Sequence, residues 1–280
     1  MKLSSKRSQV PLTTVGLVLA GVLGFAQTDA PKEPLSPRIA NYQIDVRLNP
    51  ETRVLEGRQL LVWVNQTDDA VDELQFHLYL NAFRNNQSSF MRESGGFHRG
   101  NKLDKDGWGF IEVERLAIAG LDSVSPEALR LQLQAEGTER DQTYPTYAVE
   151  PMDLTSAMEF LYPDDGNMDD KTVFRVPLPA PLQPGHTIAL DVDFSARLPT
   201  PPFARTGSKE DYFFVGQWFP KVGVYEDGAW NAHQFHLHSE FYADFGVYDV
   251  KMTVPKEYIL GATGQEVART DNPDGTTTHH

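Results

Sequence analysis

ANYQIDVRLNPETRVLEGRQLLVWVN, residues 40–65, sets the fold class. Tyr42, Ile44, Val46 and Leu48 alternate with polar neighbours, the period of a strand with one buried face. Asn49 and Pro50 interrupt the run. Residues 54–65 then resume it in hairpin position.

The same reading extends along the chain. ELQFHLYLNAF, residues 73–83, places Leu74, Phe76, Leu78 and Leu80 on one face, with His77 and Tyr79 on the other. Residues 84–107 are polar and Gly-rich and read as a long loop. Residues 109–118 and 129–136 alternate again. TVFRVPLP and HTIALDVDFSARLP form two more strands around the turn Gln183-Pro184-Gly185, and Pro177 and Pro179 favour an edge there. DYFFVGQWFP, VYDVKMTVP and YILGATG complete about ten strands with no long helical period. The expected fold is all-β, a large antiparallel sandwich or saddle. The Pro-Asp-Gly turn near the C-terminus would join a strand to a partner lying beyond residue 280, which reads as a domain whose continuation is missing.

Composition limits the function classes. The 280 residues are 40% hydrophobic, with 16 Phe, 10 Tyr and 4 Trp, enough for a packed core. The net charge of −14 repels phosphate backbones, so nucleic acid is not an expected partner. Nor does such a chain gain from an anionic membrane surface, so no membrane contact is expected beyond an export signal. There is no cysteine, which excludes thiolate catalysis and Cys-ligated zinc.

Residues 1–26 read as that signal. Lys2, Lys6 and Arg7 precede an apolar run, and Gly24 and Ala26 are the small residues of a cleavage site. An uncleaved anchor is the alternative. The expected location is periplasmic or secreted. Residues 27–38, rich in Pro and polar residues, read as a linker.

Several stretches carry potential chemistry. HQFHLHSE holds His233, His236, His238 and Glu240. On a strand, His236, His238 and Glu240 would share one face, but same-face neighbours diverge, and a tetrahedral zinc site draws from several elements. No HExxH occurs. The expected reading is a polar strand face; a small metalloenzyme built on these four residues is the rival. DDGNMDD, residues 164–170, has the alternate acidic spacing of a calcium loop, but Asp170 and Val176 stand where that loop needs Gly and Glu. A solvated acidic loop is expected. Trp218, Tyr225 and Trp230 suit either a core or a stacking platform for peptide or glycan. There is no G-x-S-x-G and no phosphate-cradling glycine loop.

Taken in order, residues 40–67, LQFHLYLNAF, PLQPGHTIALDVDFSARLP, QWFPKVGVYEDGAWN and EFYADFGVYDVKMTVPKEYILGATG resemble the N-terminal domain of the aminopeptidase N family of zinc metallopeptidases, bacterial secreted members above all. Residues 246–255 followed by Ala262-Thr263-Gly264 carry most of the specificity. The resemblance implies a saddle of β-sheets over 39–264, with 265–280 starting the connection to a catalytic domain of the same polypeptide. That domain would hold the zinc and HExxH; no cofactor and no catalytic residue is expected in the present chain. The resemblance also implies that one Gln or Glu reaches the pocket for a peptide substrate's free amine, and Gln217 is the nearest candidate. The face meeting the catalytic domain should be exposed and apolar. The competing function is a free-standing secreted β-sandwich that binds peptide or glycan.

Overall fold

In the computed structural model, which describes residues 36–120, 150–239 and 241–280, the alternating stretch folds as a hairpin. β1 (Ala40–Asn49) pairs antiparallel with β2 (Val54–Val64) over ten positions. The side chains chosen by the alternation, Tyr42, Ile44, Val46 and Leu48, are all buried. The expected strand at 129–136 and the signal and linker through residue 35 lie outside the described residues.

The remaining strands follow in chain order. β3 is Val71–His77, β4 Phe97–His98, β5 Asn101–Lys102, β6 Phe110–Ile118 and β7 Met152–Asp153. β8 is Glu159–Leu161, β9 Val173–Leu182, β10 Thr187–Arg197, β11 Gly207–Lys209 and β12 Tyr212–Phe214. β13 is Lys221–Val222, β14 Val224–Glu226, β15 Ala229–Asn231, β16 Tyr248–Pro255, β17 Arg269–Asp271 and β18 Thr276–His279.

An eight-stranded sheet runs β17-β18-β16-β1-β2-β10-β6-β7, and a four-stranded sheet runs β13-β3-β9-β8. One hydrophobic core joins them: Ile44, Leu61, Trp63, Leu190 and Val192 of the large sheet lie in the same cluster as Leu74, Phe76, Phe174 and Val176 of the small one. This is the expected all-β sandwich. Burying a side chain of the size of Trp63 contributes a few kcal/mol, so the core accounts for most of the fold's stability.

Six details differ from the sequence reading. First, β1 pairs with β16 in parallel, Tyr42 opposite Tyr248 through Arg47 opposite Thr253, so the large sheet is mixed. About two hundred residues separate the two strands, and no hairpin constrains their direction. Second, β9 and β10 flank the Gln183-Pro184-Gly185 turn but belong to different sheets. Fully buried Asn65 pins that corner: its Nδ2 donates to Leu182 O at 3.0 Å, and its carbonyl accepts from Gly185 N at 2.6 Å. Third, residues 79–83 are a 3-10 turn, Tyr79–Phe83, with every side chain buried.

Fourth, the expected loop at 84–107 contains a helix, α1 (Ser89–Ser94), and the β4–β5 pair. Ser88 Oγ caps α1 by accepting from Met91 N at 3.2 Å, and Gly95 ends it at φ 60°. Fifth, YILGATG forms no strand, and Ile259 is exposed. Sixth, the Pro-Asp-Gly turn closes within the chain, since β18 pairs with both β17 and β16. β9 lies inside the small sheet, between β3 and β8, but among the described residues β8 pairs only with Val173 through Arg175, so Pro177 and Pro179 have no partner strand recorded on that side. Among the described residues no helix is long and apolar enough to cross a membrane.

Candidate functional site

The histidine-rich stretch is not a strand. After β15 the chain runs irregularly through residue 236 and turns at 237–238. The period-two spacing therefore has no shared face, and the imidazoles go three ways. The His233 ring lies 5.3 Å from that of buried His77. His238 is exposed on the turn, and Glu240 lies outside the described residues. Among the described residues no group of three His, Asp or Glu side chains converges as a metal site.

His236 is held between two carboxylates. Nδ1 is 2.6 Å from Glu93 Oε1 on α1, and Nε2 is 3.2 Å from Asp164 Oδ2. Both ring nitrogens donate only when the imidazole is doubly protonated. Burial alone lowers its pKa, but the hydrogen bond and charge of Glu93, then those of Asp164, override this and raise it. A raised folded-state pKa gives stability that is full below the unfolded value of about 6.5 and is lost as pH rises through the folded one. His236→Gln is expected to cost roughly 1–2 kcal/mol at pH 5.5 and much less at pH 9, the partial exposure of the pair limiting the effect. Urea unfolding at the two pH values checks it; an equal cost at both would sink the assignment.

The acidic loop is largely solvated, with Asp164, Asp165, Gly166, Met168 and Asp169 exposed, but it is anchored at Asn167 and Asp170, which are buried. Asp170 is fully buried and accepts from Ser89 N at 3.0 Å and Thr172 N at 2.9 Å. Asp165 accepts from Ser89 Oγ at 2.6 Å and from Gln234 Nε2 at 2.8 Å. Burial would raise the Asp165 pKa, but these bonds, one from Asn167 N and the charge of His236 lower it. The loop, α1 and residues 233–239 thus form one hydrogen-bonded knot.

The aromatic cluster packs mainly inward. Tyr225 and Trp230 meet edge to face at 76°, and Trp218 packs against Phe194 and Phe219. Trp230 Nε1 donates to Glu73 O at 3.1 Å, and all three rings pack against the core. All three rings are half-buried, and Tyr225 and Trp230 are not coplanar, so these two do not form one flat stacking face for a sugar or peptide.

Gln217 sits differently. Its φ is 54°, the left-handed region, where a residue with a Cβ costs of order 1 kcal/mol or more. It lines a shallow recess with Tyr79, Phe241, Arg205 and Thr206. The cavity volume is 10 Å³, room for about one water. Arg205 lies 5.5 Å over the Phe241 ring. Tyr79 OH donates to Tyr242 O at 3.4 Å and accepts from Tyr242 N at 3.2 Å; burial pushes its pKa up to about 12. Exposed Phe214 and Tyr242 border the recess, Phe214 through its carbonyl bonded to Thr206 Oγ1.

Behind Gln217 stands a group of residues that no motif marks. Lys221 Nζ donates to Gln217 Oε1 at 3.3 Å and lies 5.2 Å over the Phe219 ring. Burial lowers the Lys221 pKa. Lys221 pairs across the strands with His77, whose buried ring stacks on Tyr79 at 4.6 Å and finds no hydrogen bond of good geometry. Burial first, then His233 and Lys221, lower the His77 pKa to about 3. Nearer β16, burial and then the charge of Glu226 push Asp244 up to about 6. Only three-dimensional proximity identifies these groups; their spacing in sequence carries no signal.

No family model matches the chain, and no curated protein matches it. Among solved structures, the chain is similar to an M1 zinc metallopeptidase from Deinococcus radiodurans, at 13% identity and TM-score 0.39, over 87% of this chain and 39% of that chain. It is also similar to a mutant M1 zinc metallopeptidase from that organism bound to a Tyr-Ser-Ala substrate, at 12% identity and TM-score 0.41, over 86% of this chain and 38% of that chain. The chain therefore spans less than two fifths of the length of the structures it resembles.

Proposed function

We propose that this chain is the N-terminal β domain of an exported zinc aminopeptidase, a scaffold that lends Gln217 to the seat of the substrate's α-ammonium. One observation carries the site: Gln217 stands at a recess with its amide oxygen already accepting from an ammonium. The ordered resemblance of five segments supports the parentage, and the exposed aromatics Phe214 and Tyr242 at the rim suit a face that meets another domain.

The chemistry divides between the two parts. The zinc implied by the resemblance, in the domain beyond these residues, would supply a polarised water. What this chain supplies is position. An amide fixed on a rigid sheet holds the ammonium and sets the first peptide bond at a constant distance from the reacting centre. The recess itself is too shallow for a side chain, so it forms one wall of a pocket completed from elsewhere.

The test is release of an N-terminal leucine from leucine p-nitroanilide by the full-length parent. Gln217→Ala is expected to raise KM by about 10- to 100-fold, the size of one hydrogen bond to a charged group, with kcat changed far less. An unchanged KM would remove Gln217 from the site. A full-length parent with no peptidase activity would overturn the parentage.

A further inference from the structure

We propose that Lys221 is the resident occupant of the amine seat at Gln217, and that it sets how tightly the seat takes an incoming ammonium. The inference rests on the proposed role of Gln217 and adds a residue to it. Gln217 Oε1 is the atom that would accept from a substrate ammonium, and Lys221 Nζ is bonded to it at 3.3 Å. Two ammonium groups on one amide oxygen repel each other, so a substrate must displace Lys221 or meet it uncharged.

The surroundings of Lys221 favour displacement. The groups facing it are the Phe219 ring, Gln217 and, from β3, His77 with His233 behind it. Among the described residues no carboxylate is recorded against its ammonium, and the one hydrogen-bond acceptor recorded is Gln217. A half-buried ammonium with a single long bond is weakly held, and burial already favours its neutral form. Lys221 therefore keeps the Gln217 oxygen satisfied when no amine is bound, and an arriving amine binds only by breaking that one bond and moving the Lys221 charge aside.

Two measurements on the 280-residue chain test this. The first follows the Lys221 side-chain carbon by NMR through a pH titration. In Gln217→Leu, Lys221 should titrate at lower pH than in the wild type, because its acceptor is gone; an unchanged titration overturns the pairing. The second uses L-leucinamide, an ammonium without a carboxylate, with N-acetyl-leucinamide as control, watching the Gln217 side-chain amide. Lys221→Met keeps the stem against Phe219 and should bind leucinamide at least about tenfold tighter at pH 7. The gain should shrink as pH rises through the Lys221 titration. Lys221→Gln serves as a second variant if the first unfolds. Equal binding by wild type and variants overturns the proposal and leaves Gln217 as the amine seat. Weaker binding by the variants also overturns it. Binding by none of them overturns the control by Lys221, while Gln217 as the amine seat still stands or falls on the KM of Gln217→Ala in the full-length parent.

Discussion

Gly246→Ala should destabilise the fold by about 3 kcal/mol or more, lowering the melting temperature by roughly 6–12 °C in a chain of this size. A Cβ at residue 246 would stand 1.6 Å from Ala40 O and 2.6 Å from Ala40 C, both backbone atoms. No rotamer change relieves that overlap; one strand has to move. This is also where the parallel pair begins. Ile39 N and Ala40 N donate to Phe245 O at 3.0 and 3.2 Å, and Val247 N donates to Asn41 Oδ1 at 2.8 Å. Pushing β1 and β16 apart here opens the junction that fastens β16, β18 and β17 to the rest of the large sheet. Gly261→Ala is the control, because nothing lies within 4 Å of its Cβ position. Thermal scans of both variants check the prediction. A Gly246→Ala protein within about 0.5 kcal/mol of wild type would mean that the close approach of the two strands is not needed.

That junction also shows what the residues of this chain announce and what they hide. The β1–β2 hairpin was legible because one face is buried and one is wet, so burial writes a period of two into the sequence. The strand β16 was legible from the apolar alternation of Val250, Met252 and Val254, but its parallel partner was not, since alternation fixes a face and says nothing about a neighbour's direction. The Tyr79–Phe83 turn is buried on every side, so it carries no period that separates it from strand. Helix α1 has a Ser cap and a closing Gly in plain view, yet its six residues are too few for a helical period. At 233–240 the error ran the other way: imidazoles at alternate positions imitate a strand face, while the carboxylates that hold His236 come from residues 93 and 164. The site was half legible. Gln217 could be singled out by resemblance, but its bond to Lys221 and the neighbouring His77 depend on how β13 docks against β3.

The knot around the acidic loop should be the second most sensitive place. Asp170→Ala is expected to cost about 3–5 kcal/mol. The carboxylate is fully buried and serves three donors: Ser89 N on α1, Thr172 N, and Thr172 Oγ1. Removing it leaves two backbone N–H groups unpaired out of reach of water, and each such group costs about 1–3 kcal/mol. The damage spreads, because Thr172 is itself a hub. Its Oγ1 accepts from Phe235 N at 3.2 Å, and its carbonyl accepts from Leu78 N at 2.7 Å. Asp170→Asn should cost less, since its amide oxygen still serves one of the donors. Equilibrium urea unfolding of the two variants gives the costs, and a loss below about 1 kcal/mol for Asp170→Ala would show that water reaches these donors after all. A double-mutant cycle with His236→Gln adds a sharper reading. Glu93, Asp164 and Gln234 link the His236 clamp to the Asp170 anchor through α1 and the loop. The two losses should therefore fall short of additivity by more than about 0.5 kcal/mol at pH 5.5, because either substitution alone loosens the segment that the other needs.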